Sequence, residues 1–185
     1  MGITSRRLAF DRCGGNLNKL REILHADLNS TNNHEIKLVI IFCILILHNF
    51  SRPGSFETGL KSLKKQNIQL EIIIGEKILK IAYLDRRNEY ICKIFVVKDD
   101  GFYNAFKFFL ETDFGSPFFY RIGEHHHLDY LRLILPGLTA LQLRRSGASF
   151  LFYMFLKKIK EPLENLQKNR PDFFFLNKTR FTRKA

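Results

Sequence analysis

The stretch from Ile68 to Val97 constrains the fold most, because it carries strand periodicity and turn chemistry in alternation. In Ile68-Gln69-Leu70-Glu71-Ile72 apolar and polar residues alternate, as a half-buried strand requires, and Ile73-Ile74 extends the run to Gly75. Gly75-Glu76 reads as a two-residue type II′ hairpin turn, with Gly supplying the positive φ. Lys77 to Leu84 then forms a second strand. Asp85-Arg86-Arg87-Asn88 is a polar connection, and Tyr90 to Val97 is a third strand rich in β-branched and aromatic residues. Meander order is the most economical arrangement. In the third strand Tyr90, Cys92, Ile94 and Val96 share one face, while Ile91, Lys93, Phe95 and Val97 share the other. Both faces are largely apolar, so cover is expected on each side.

Leu38 to Leu47 is ten uninterrupted apolar residues between Lys37 and His48. A membrane-spanning helix needs about 18 or more, so the run is too short to cross a bilayer alone. Its Ile and Val content favours a buried strand central to the sheet, although periodicity does not separate that from a buried helix. Upstream, Leu17, Leu20, Ile23, Leu24 and Leu28 have helical spacing with Asn16 available as a cap. After the breaker Ser51-Arg52-Pro53-Gly54-Ser55, Phe56, Leu60 and Leu63 suggest a short helix. Beyond the meander, Lys98-Asp99-Asp100-Gly101 is a turn, and Phe102, Phe106, Phe109 and Leu110 predict a helix laid across the sheet. Further helical segments are expected from Leu128, from Leu138 to Arg145 and from Ser149 to Lys160. The expected fold is a single α+β domain over residues 1–169, with an antiparallel meander at 68–97 and the buried strand at 38–47. Residues 170–185 read as a basic, Phe-containing tail.

Charge gives the main functional indication. The chain carries a formal charge of +12, and residues 148–185 hold half of that excess, with nine Lys and Arg against three acidic residues. Such an end is attracted to polyanions. Lys157, Lys158, Lys160, Lys168, Arg170, Lys178, Arg180, Arg183 and Lys184 are therefore the candidate nucleic-acid-binding residues, with Phe173, Phe174 and Phe175 available either to stack on bases or to cover the core. The apolar residues from Phe150 to Leu156 are nearly continuous rather than confined to one stripe, which favours core burial over peripheral membrane contact.

Catalytic signatures are weak. Glu124-His125-His126-His127-Leu128-Asp129 is the one conspicuous polar cluster, and His125, His127 and Asp129 are candidate metal ligands. The competing reading is a solvated loop before a helix. Glu35-Ile36-Lys37 has the spacing of some metal-dependent nucleases, but a three-residue match arises by chance in a charged chain. There is no Gly-x-Ser-x-Gly elbow, no phosphate loop and no Gly-x-Gly-x-x-Gly. Cys13, Cys43 and Cys92 are too few for a disulfide framework or a zinc module, so a reducing, intracellular compartment is expected, with Cys43 and Cys92 as core residues. Arg6-Arg7 has no long apolar stretch close behind it, so no secretory leader is expected. No cofactor is implied. The sequence thus points to a non-enzymatic protein that binds nucleic acid, with a protein-interaction adaptor as the alternative and a metal-dependent hydrolase as the minority one.

Overall fold

The computed structural model describes residues 17–49, 51–112, 117–123, 125–134, 138–145 and 147–148, all within a unit that spans Met1–Phe150. The elements run α1 (Leu17–Ser30), α2 (His34–Asn49), β1 (Ile68–Ile73), β2 (Glu76–Leu84), β3 (Tyr90–Val96), α3 (Asp100–Glu111) and α4 (His126–Ile134), followed by a helical segment at 140–145. This is an α+β arrangement with one antiparallel sheet in the order β1-β2-β3. The meander therefore forms over the residues whose periodicity predicts it.

The run Leu38 to Leu47 is helical rather than a strand, and it is the centre of the core. Every residue in it is buried, and α2 packs against α1, α3 and α4. Two physical effects favour the helix. Asn33 caps it, its Oδ1 accepting from the backbone N–H of Glu35 at 2.9 Å and of Ile36 at 3.2 Å. A ten-residue strand here would also need ladder partners, whereas the three strands pair only with one another; a helix satisfies its own backbone and leaves every side free for apolar contact. Glu35, half of the nuclease-like spacing, lies in the first turn of α2, where its charge complements the helix dipole. None of the described helices is long and apolar enough to cross a membrane.

The hairpin turn also differs from expectation. Ile73 pairs with Glu76, so the turn residues are Ile74 and Gly75, with φ of 51° and 79°. Two positive φ values make the type I′ geometry, and a β-branched residue in the first position is strained. Ile74 is 99% exposed, so nothing is gained from its side chain in exchange. Replacing Ile74 with Asn is expected to stabilise the fold by about 0.5–1 kcal/mol, raising the thermal midpoint by about 2–4 °C. Calorimetry checks this. A lower midpoint would show that the exposed Ile contributes something the turn geometry does not reveal.

Asp99 caps α3 through its carboxylate, which accepts from the Phe102 N–H at 2.6 Å. Phe102, Phe106 and Phe109 then turn inward, and Phe106 stacks on Phe118 at 5.1 Å between centroids. The predicted helix near Phe56 is instead a loop followed by two single turns of 3₁₀ helix, Leu60–Ser62 and Lys65–Asn67.

Only one face of the sheet is covered. Ile68, Leu79, Ile81 and Tyr83 are buried on the inner face. On the other face Tyr90, Cys92, Ile94 and Val96 are exposed, contrary to the expected cover and to the expected core position of Cys92. A Lys80–Glu71 ion pair at 2.8 Å lies across this open face. Cys43 does sit in the core, where burial pushes its thiol far above the ordinary range.

Candidate functional site: a cationic concavity

Six of the described cations converge in one place. Arg52, Arg86, Arg87, Lys93, Arg144 and Arg145 line a concavity of about 840 Å³, and the single carboxylate among the described residues of its lining is Asp85. These cations come from four separate parts of the chain, and each part is held by local structure.

The loop after α2 brings Arg52. It is pinned at both ends, since the Leu60 N–H donates to Arg52 O and the Gly59 N–H to Leu84 O, both at 2.7 Å. Gly54 and Gly59 approach so closely, at positive φ, that a Cβ on Gly54 would lie 1.9 Å from the Thr58 carbonyl oxygen. The loop is thereby closed against the end of β2. Arg86 and Arg87 occupy the β2–β3 turn. Asp85 Oδ1 accepts from the N–H groups of Arg87 at 2.7 Å and Glu89 at 3.1 Å, and Asn88 takes the left-handed position that Asn tolerates, with φ of 61°. The Asp85 carboxylate is therefore engaged in shaping the turn that presents the arginines.

Arg144 and Arg145 come from the helical segment at 140–145. Thr139 and Gln142 form a reciprocal cap: the Gln142 N–H donates to Thr139 Oγ1 at 3.2 Å and the Thr139 N–H to Gln142 Oε1 at 3.0 Å. Leu138, Ala140 and Leu143 are buried, which anchors the segment and turns Arg144 and Arg145 toward the concavity. Lys93 completes the set from the inner face of β3, opposite Ile81.

The cations are graded in depth. Arg52, Arg86, Arg87 and Arg145 are exposed or nearly so, while Lys93 and Arg144 are half-buried beside the buried Tyr83. Burial, together with the neighbouring Arg144 guanidinium, lowers the Lys93 ammonium from its ordinary range. Arg144 is lowered by burial and then by Arg52 and Arg145, with Tyr83 acting the other way. Like charges that depress one another in a partly desolvated pocket favour an anionic occupant. Arginine forks suit the oxygens of phosphate or carboxylate groups.

The sequence-predicted sites fare differently. Lys157, Lys158, Lys160, Lys168, Arg170, Lys178, Arg180, Arg183 and Lys184 lie outside the described residues. In the histidine cluster, His126 and His127 belong to α4 rather than to a loop. His127 is buried edge-on against Phe42 at 5.3 Å, His125 is exposed, and Asp129 pairs with Arg132 at 3.1 Å. Among the described residues no group of three His, Cys, Asp or Glu side chains could hold a metal ion.

Burial, followed by the nearby Lys61 and His125, depresses His127 to about 4; burial, then Arg21 and His25, depresses His48 to about 3. A base depressed in the folded state contributes stability above its unfolded value, near 6.5, and that stability is lost as pH falls toward the folded value. Stability should therefore drop between pH 6.5 and 4, by about 1 kcal/mol per histidine at pH 5 once partial solvent access is allowed for. Urea unfolding of the parent and of His127→Leu at pH 7 and pH 5 checks this, and the variant should lose less on acidification.

A second, smaller cavity of about 260 Å³ is lined by His25, His48, Asp99 and Phe102 among others. His25 Nδ1 lies 3.3 Å from Asp99 Oδ1, close enough for attraction but misaligned for a hydrogen bond. Among the described residues the lining holds no Ser, Thr or Cys nucleophile, and Asp99 is already committed to its cap. Compared with known proteins, the chain matches no family model and no curated sequence.

Proposed function

We propose that this protein binds nucleic acid without catalysing a reaction, and that the cationic concavity is where the phosphates are held. The observation that carries the reading is the convergence of Arg52, Arg86, Arg87, Lys93, Arg144 and Arg145 on one concavity, where Asp85, the single carboxylate among the described lining residues, is used by its own turn. Folding brings these like charges together at an electrostatic cost, and a polyanion offsets that cost. Apolar surface within the lining, from Ile91 and Leu141, offers contact for sugar or base beside the phosphates. The basic segment 148–185 would add nonspecific attraction to the same ligand.

The reading is tested by titrating the full chain with labelled single-stranded and duplex oligonucleotides between about 50 and 200 mM salt. Affinity should fall steeply and linearly on logarithmic axes as counterions are released. No binding at the lower salt, despite the +12 charge, would overturn it.

A second reading, a protein-interaction module, is favoured by the open sheet face, where Tyr90 and Ile94 are 64% and 62% exposed. Binding through that face would be nearly insensitive to salt and would weaken in Ile94→Lys.

A further inference from the structure

The six cations do not form an even belt, and their grading by depth has a consequence for the ligand. Four exposed arginines form the rim, and two half-buried cations, Lys93 and Arg144, form the floor together with the Tyr83 side chain. An internal phosphodiester carries one negative charge and is flanked by sugar on both sides. Seating it on the floor would drag two sugars past the rim. A terminal phosphomonoester carries up to two charges and a sugar on one side only. It reaches the floor end-on while the following diesters stay at the rim.

We propose that the floor of the concavity, built by Lys93 and Arg144 over Tyr83, is a subsite for a phosphomonoester dianion, and that it selects nucleic-acid strands bearing a terminal phosphate. The inference rests on the nucleic-acid reading above and deepens it from polyanion attraction to end recognition. Lys93 carries much of the argument. It stands on the core-facing side of β3 among Ile91, Phe95 and Ile81, a place where a strand facing the core ordinarily carries an apolar residue. Arg144 reaches the same floor from the capped segment at 140–145, so both groups are fixed in position before any ligand arrives. The Arg144 guanidinium adds to burial in lowering the Lys93 ammonium, which places the two cations close to one another.

The pH dependence follows from the ligand. A phosphomonoester gives up its second proton near pH 6, so at about pH 5.5 it carries little more charge than a diester. Among the described residues the lining contains no histidine, and its charged and titratable groups are Asp85, Tyr83, Lys93 and the five arginines. Any protonation of Lys93 on acidification would strengthen binding, the opposite of the expected loss.

The test uses the full chain and one short labelled single strand in three forms: 5′-phosphate, 3′-phosphate and no terminal phosphate. At about pH 7.5 and physiological salt, at least one phosphorylated form should bind about tenfold more tightly than the unphosphorylated strand. The preference should vanish at about pH 5.5 and in Arg144→Gln and Lys93→Gln. Because the ligand comparison is made on the unmodified protein, it stands even if a variant fails to fold. Equal binding of all three forms would overturn end recognition and leave the nucleic-acid reading intact. Binding of none would overturn both. If inorganic phosphate or a mononucleotide bound as tightly as the phosphorylated strand, the floor would be a small-molecule phosphate site, and the strand assignment would fall.

Discussion

Replacing Phe42 with Ala is expected to cost about 3–5 kcal/mol and, in a domain of ordinary marginal stability, to leave a sizeable fraction of the protein unfolded at 37 °C. The size of the effect follows from where the ring sits. Phe42 lies at the middle of α2 with no exposed surface, edge-on to Phe119 at 5.0 Å and to His127 at 5.3 Å. Removing the ring would strip contacts from α2 and α4 together and leave a cavity that the surrounding helices close only in part. Phe42→Leu should cost distinctly less, because most of the volume is retained. Urea unfolding of the three proteins checks the order. If Phe42→Ala were tolerated within about 1 kcal/mol, α2 would not be the centre of the core.

The second large effect concerns binding. Reversing two exposed rim charges, Arg52→Glu with Arg145→Glu, is expected to weaken binding of a single-stranded oligonucleotide by about 100-fold at physiological salt and to lower the salt slope by about 2. The thermal midpoint should stay within a few degrees, since surface substitutions cost little and relief of like-charge repulsion acts in the favourable direction. A control reversal at a residue that does not line the concavity, Lys107→Glu on α3, carries the same charge change per site. Lys107 pairs with Glu111 at 3.7 Å on an exposed face. That control should weaken binding by only a few-fold. An equal loss per reversed charge, about tenfold in this single reversal against about 100-fold in the double one, would mean that net charge, and not the concavity, determines affinity.

The sheet was readable because its signals are local. Period-two alternation in Ile68–Ile72 and the polar tetrad Asp85-Arg86-Arg87-Asn88 mark the strands and their connection without reference to the rest of the fold. The helix α2 was not, since a helix surrounded on every side by apolar partners loses the periodic stripe that identifies helices. The informative residue was Asn33, which lies outside the apolar run and caps it. The turn at Ile74-Gly75 was misplaced by one residue because Gly75 suits either position, and the cross-strand pairing of Ile73 with Glu76 decides between them.

The concavity was harder to foresee. Arg86-Arg87 reads as a solvated turn and Arg144-Arg145 as the end of a helix, and only tertiary folding brings them together with Arg52. Two sequence signals pointed toward it. Lys93 interrupts the apolar face of β3, and Thr139-x-x-Gln142 has the spacing of a reciprocal helix cap, which fixes the segment that carries Arg144 and Arg145. The histidine cluster shows the converse. Adjacent imidazoles look like ligands in one dimension, but on α4 they point in different directions, and His127 is used as a buried aromatic.

The most direct test of the central claim is to map the ligand on the protein by amide chemical shifts while titrating isotope-labelled full chain with a 5′-phosphorylated single strand. Shifts are expected to concentrate at Arg52 to Gly59, at Asp85 to Glu89, at Lys93 and in residues 141–145. Shifts confined to Tyr90, Cys92, Ile94 and Val96 on the open sheet face, or absent from the concavity while binding is evident, would contradict it.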